Sequence, residues 1–84
     1  MATKLHVGNI PSTVREQDLR TTFGQFGLVE AVEIAMDPGT GQRKGFAIVA
    51  MLHAADADAA IRRLNFSQFE GHTIGVSKVR ESRS

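Results

Sequence analysis

The run Lys44-Gly45-Phe46-Ala47-Ile48-Val49-Ala50-Met51 alternates with period two, and a strand is the regular structure that gives such a pattern two coherent faces. One face carries Ala47, Val49 and Met51, small and aliphatic residues suited to packing. The other carries Lys44, Phe46, Ile48 and Ala50: a cation, an aromatic ring and two apolar groups. That second face is a poor match for open water. It needs either another buried layer or a ligand, and the rest of the chain favours a ligand.

Around this central strand the pattern switches between period two and period 3.6. Lys4 to Ile10 reads as a short strand, with Leu5 and Val7 on one face and Lys4, His6 and Gly8 on the other; Pro11 and Ser12 break it. A helix follows, starting within residues 13–16, where Thr13 and Glu16 have the spacing of a capping box. Leu19, Phe23 and Phe26 form its buried stripe, and Gly24 and Gly27 weaken and stop it. Leu28 to Met36 is a second strand. Its core candidates Val29, Val32 and Ile34 do not share one parity, which predicts a bulge near Glu30-Ala31. Asp37-Pro38-Gly39-Thr40-Gly41 is a turn-rich loop. A second helix runs from about Ala54 to Leu64, with a stripe of Ala57, Ala60, Ile61 and Leu64 small enough to lie close to a sheet. Asn65 to Gly71 connects, with Phe69 tucked beneath it. The last strand is Thr73 to Val79, with Ile74 and Val76 facing the core, and Arg80 to Ser84 is a polar tail.

The order is therefore β-α-β-β-α-β. Two helical crossovers and one antiparallel pair give a four-stranded sheet with both helices on one face. The other face is bare, and Phe46 and His6 lie on it.

The 84 residues make one domain, 1–84, with a core of about 4–80 and a tail of 81–84. A chain this short buries only about 60% of its unfolded surface. It has no cysteine, hence no disulfide and no thiolate chemistry. No apolar run approaches the ~20 residues of a membrane span, and the N-terminal residues lack a signal-peptide pattern, so a cytoplasmic location is expected. The net charge of +1 says little alone. Helix charges roughly cancel, whereas Lys4, Arg43, Lys44, Lys78, Arg80 and Arg83 give the strands, their loops and the tail a modest basic bias. His6, His53 and His72 sit in separate elements without metal-site spacing. Neither a P-loop nor a dinucleotide fingerprint is present. No cofactor and no metal is expected.

The residues of the bare face also resemble the RNA recognition motif family. That family's octamer runs basic, Gly, aromatic, Gly or Ala, aromatic, aliphatic, any, aromatic. Lys44 to Met51 matches it except at Ile48 and Met51. Its hexamer runs aliphatic, aromatic, aliphatic, any, Asn, aliphatic, and Leu5-His6-Val7-Gly8-Asn9-Ile10 matches it except at His6. The scaffold agrees at Leu19, Phe23-Gly24-Gln25-Phe26-Gly27, Ala57, Ala60-Ile61, Leu64-Asn65, Gly71 and Val76. The resemblance covers about residues 4–80, and the chain resembles the small single-domain members of bacteria and organelles. It implies an α+β, ferredoxin-like sandwich and a non-catalytic domain that binds single-stranded RNA on its sheet.

The physics of such a face agrees. Unstacked bases lie on aromatic rings, and cations beside the rings neutralise phosphates without reading sequence. The resemblance places the three ring positions at His6, Phe46 and Ile48. Phe46 is a full platform, His6 a smaller one, and Ile48 can only pack. Lys44 and Arg43 are the phosphate ligands, and Lys4, Asn9, Ser77 and Arg80 complete the RNA-binding candidates; Glu33 on the same face repels phosphate or accepts from a base amino group. With two of three rings replaced, weak binding of low sequence selectivity is expected, by a monomer, with RNA as the ligand and single-stranded DNA as a further candidate. The alternative is a protein-interaction module on the same scaffold, with either a protein partner on the helix face or self-association through the apolar patch of Phe46, Ile48 and Ala50. An enzyme is a third reading. Acylphosphatase shares the layout, but its Arg-bearing phosphate loop is replaced here by Gly8-Asn9-Ile10-Pro11-Ser12, and no nucleophile–base pair is evident.

Overall fold

The computed structural model describes residues 2–79, apart from the side chain of Arg43. The expectations for Arg80, for the tail 81–84 and for the Arg43 side chain lie outside the described residues. The chain order is β1 (Thr3–Gly8), α1 (Glu16–Gly24), β2 (Val29–Met36), β3 (Arg43–Met51), α2 (Ala54–Leu64), β4 (Gln68–Phe69), β5 (His72–Thr73) and β6 (Gly75–Lys78). The main sheet has the order β2-β3-β1-β6, with every pairing antiparallel. β4 and β5 form a separate small hairpin. This is the α+β, ferredoxin-like arrangement expected from the sequence.

The alternation of the central strand holds. Ala47, Val49 and Met51 are fully buried, together with Leu5 and Val7 of β1, Val76 of β6, Leu19 and Phe23 of α1 and Ala57 and Ala60 of α2. Register puts Leu5 opposite Val49 and Val7 opposite both Ala47 and Val76, so the three inner strands offer one continuous apolar surface to the helices. Fully burying a side chain of Val, Leu or Phe size contributes about 1.5–3 kcal/mol. Two alanines where α2 meets the sheet let that helix approach closely. The bulge in β2 is present: register slips by one residue between Val29 and Ala31. A second irregularity lies between Ile34 and Met36, opposite the stretch of β3 that holds Gly45 at φ +84°.

Four local features differ from these expectations. α1 begins at Glu16, but Thr13 does not cap it; the Asp18 carboxylate accepts the Arg15 N–H at 2.9 Å. An acidic residue in the first turn also complements the helix dipole. Gln25 rather than a glycine takes the C-cap of α1. Gly27 serves instead for close approach, because a Cβ there would run into the Asp56 side chain of α2. The segment after α2 holds the β4–β5 hairpin, whose strands are too short to give a periodic signal, so Thr73 belongs to β5 and the last strand starts at Gly75. Phe69 is half-buried against the core, as expected.

The β6 edge is protected. Phe66 N–H donates to the Ile74 carbonyl, Ile74 N–H to the Ser67 carbonyl and Val76 N–H to the Asn65 side-chain oxygen, at 2.8, 3.0 and 2.9 Å. The segment after α2 thereby occupies donors and acceptors that would otherwise invite another strand.

Candidate nucleic-acid interface

Register sets out the uncovered face in rows. The middle row runs Ser77 (β6), His6 (β1), Ile48 (β3), Glu33 (β2). One neighbouring row runs Gly75, Gly8, Phe46; the other contains Lys4, Ala50 and Ala31. His6, Phe46 and Ile48 are half-exposed, while Lys4, Lys44, Ser77 and Glu33 are exposed. Ala50 is only 7% exposed although it points to this side, so it adds almost nothing to an apolar docking patch.

The rings are not two separate platforms. His6 and Phe46 stack on each other, with centroids 4.8 Å apart and planes 24° from parallel. They are diagonal neighbours on adjacent strands, within reach for aromatic side chains. Gly8 makes the contact possible. It lies directly opposite Phe46, and a Cβ there would sit 3.3 Å from His6 Cε1. The imidazole therefore leans along β1, over backbone with no side chain, onto the phenyl ring. The product is one offset ring stack, a plate two rings thick, at the centre of the sheet. Such pairs contribute about 0.5–1.5 kcal/mol beyond burial, enough to bias the imidazole toward one orientation before any ligand arrives.

The remaining candidates divide. Lys44 lines a shallow cleft beside β2 together with Glu33, Ile34, Ala35, Met36 and Ile48, which keeps its ammonium on the open face. Ser77 and Lys4 flank the plate. Asn9 has a structural role. At φ +61° it turns the chain out of β1, and its Nδ2 donates to the Thr73 carbonyl at 2.7 Å. Lys78, one of the strand cations, faces the helical layer and pairs with Asp58 at 2.9 Å, so its charge is spent away from the open face. Among the described residues, no group of His, Asp and Glu is placed to hold a metal ion, and no helix is long and apolar enough to cross a membrane.

Sequence reasoning gives Gly8 no role in the ring contact, whereas it already sets Glu33 on the open face, and the register opposite Ile48 agrees. The signal for Gly8 is a glycine two positions after His6 on the same strand face. Glu33 is legible because it lies between Val32 and Ile34, whose core-facing side chains turn it to the open face beyond the bulge. Phe66 is missed as well: it is 79% exposed, in the turn after α2.

A four-stranded antiparallel sheet, backed by two helices and bearing aromatic and basic residues on its free face, defines an α+β sheet-platform domain. The family model described as RNA recognition motif matches residues 5–75. The chain belongs to the RNA recognition motif family. It is 36% identical over 76 residues to RbpE of Nostoc sp., covering 90% of this chain and 77% of that protein. It is 37% identical over 83 residues to Multiple RNA-binding domain-containing protein 1 of Candida albicans, covering 95% of this chain and 10% of that much longer protein. Among solved structures, the Sxl-lethal protein/RNA complex superposes with a TM-score of 0.84 at 33% identity, over 92% of this chain and 47% of that one.

Proposed function

We propose that this domain binds single-stranded RNA, without catalysis, on the uncovered sheet face. Bases stack on the His6–Phe46 plate, and Lys44, with Arg43 beside it in sequence, neutralises phosphates. The observation that carries the reading is the ring pair standing exposed at the centre of a sheet of this family. The likeness to a chain solved in a protein/RNA complex supports it. With the two rings combined in one stack and an aliphatic residue at the third ring position, binding is weak and largely sequence-tolerant, because every base has a π-face. Lys4 and Ser77 border the path. Asn9 supports it by fixing the end of β1.

The test is fluorescence anisotropy with a labelled random-pool RNA of about ten nucleotides, a length within the usual range for a small binding domain. Phe46→Ala is expected to weaken binding by about 1–3 kcal/mol, the worth of one stacked base. Binding indifferent to Phe46, in a variant that remains folded, would sink the reading.

A protein-contact role on the same scaffold is favoured by one observation, the exposure of Phe66. It predicts partner capture or self-association that Phe66→Ser abolishes. Monomeric sedimentation, with no partner retained, would count against it.

A further inference from the structure

One end of the middle row is chemically unlike the rest of the face. Glu33 stands opposite Ile48, at the far end from Ser77, and together with Met36 and Lys44 these residues line the cleft beside β2. The walls are mainly aliphatic, and among the described side chains the charged groups that line it are one carboxylate and one ammonium. Among the described residues neither Glu33 nor Lys44 takes part in an ion pair. A lone carboxylate on a face that receives a polyanion is unfavourable if the sugar–phosphate chain passes over it. It becomes favourable if a base edge with hydrogen-bond donors meets it.

We infer that this cleft is a guanine subsite and that Glu33 selects the base. The inference rests on the RNA-binding reading above. An ionised carboxylate only accepts hydrogen bonds, and it has two oxygens to do so. Guanine alone among the four bases presents two adjacent donors, N1–H and the 2-amino group, on its Watson–Crick edge, and they match two carboxylate oxygens side by side. Adenine and cytosine present one amino group next to a ring-nitrogen acceptor, which faces the second oxygen with like polarity. Uracil presents a single N–H between two carbonyls. Ile48 and Met36 give the flanks of the base an apolar seat and lower the local dielectric, which strengthens the pair. Lys44 is placed for the phosphate of the same nucleotide, and its charge offsets that of Glu33. Stacking on the ring plate stays sequence-tolerant, so selectivity enters at this one position.

The experiment compares labelled RNAs of about ten nucleotides, uridine throughout except for a single guanosine, inosine, adenosine or cytidine. It uses the intact chain and Glu33→Gln, an exposed and nearly isosteric change whose fold is checked by amide NMR spectra. In the intact chain guanosine should bind roughly tenfold tighter than adenosine or cytidine, the discrimination expected of a bidentate contact. Inosine, which lacks only the 2-amino group, should lose most of that advantage. In Glu33→Gln the four should converge. Equal affinities in the intact chain, with binding still lost in Phe46→Ala, overturn the guanine subsite and leave the ring-plate reading standing. A uniform gain for all four RNAs in Glu33→Gln, with their rank unchanged, makes Glu33 a repulsive charge only and overturns the inference as well. No binding to any of them at low salt overturns both.

Discussion

The imidazole of His6 reaches the ring of Phe46 across the bare backbone of Gly8, the residue directly opposite Phe46 in the β1–β3 pairing. The stacked geometry thus depends on an absent side chain as much as on the two rings. Gly8 is not among the residues at positive φ, so its backbone lies outside the left-handed region that favours glycine. Its value lies in the space it leaves.

Gly8→Val is therefore a clean probe of the plate. Valine suits a strand, and the domain should remain folded. Its methyl groups would occupy the volume over which His6 now leans, given a Cβ already 3.3 Å from His6 Cε1. The imidazole must rotate away from Phe46. RNA affinity should fall by about three- to tenfold, less than for Phe46→Ala, because the larger ring survives. Loss of the ring-current shifts on the His6 protons in NMR spectra would report the displacement directly. Unchanged affinity with the rings separated would mean that the plate acts through Phe46 alone.

Lys44 gives a separable, electrostatic prediction. Its ammonium is exposed at the cleft and is in no ion pair among the described residues. Each phosphate neutralised on a single strand contributes a slope of about −0.7 to log K against log salt concentration. Lys44→Ala should make that slope shallower by about 0.7 and weaken binding to all sequences alike. A titration series in potassium chloride, from low to moderate concentration, measures it. A mutant with the original slope would remove Lys44 from the phosphate path.

The contrast between Gly8 and the core shows what the sequence could carry. Ala47, Val49 and Met51 are buried and Phe46 and Ile48 half-exposed because strand parity is a local rule, readable along one segment. The length of α2 and the bulge after Val29 were legible for the same reason. The Asp18 cap, the clearance between Gly27 and Asp56 and the Lys78–Asp58 pair were not. The first replaces one plausible capping geometry by another only two residues away. The other two join side chains from elements whose relative placement no local pattern encodes. The site divides likewise. Its members could be named from period and motif, and parity with Val76 already turns Lys78 from the open face, but the stacking of His6 on Phe46 and the pairing of Lys78 with Asp58 required the placement of neighbouring elements.

Phe66 is the position where local chemistry and structure disagree most sharply. Leu64 to Ser67 form a turn closed by Ser67 N–H to the Leu64 carbonyl at 2.9 Å. Asn65 at φ −62°, ψ 128° and Phe66 at φ +66° are the angles of a type II turn, whose third residue is ordinarily glycine. The bonds from Phe66 N–H to Ile74 and from Ile74 N–H to Ser67 add a bulge that also favours glycine at Phe66. A left-handed conformation costs a residue with a Cβ roughly 1–2 kcal/mol. At 79% exposure the ring recovers little of that by burial. Glycine would remove the strain but lose about 0.5–1 kcal/mol of extra chain entropy on folding. Phe66→Gly should therefore stabilise the domain by about 0.5–1 kcal/mol, seen as a higher urea midpoint at an unchanged m-value. RNA affinity should not change if the sheet face alone binds. A drop in stability would show that the ring makes a contact its exposure conceals. Unchanged RNA binding combined with loss of a protein partner would assign the strained aromatic to that partner's surface.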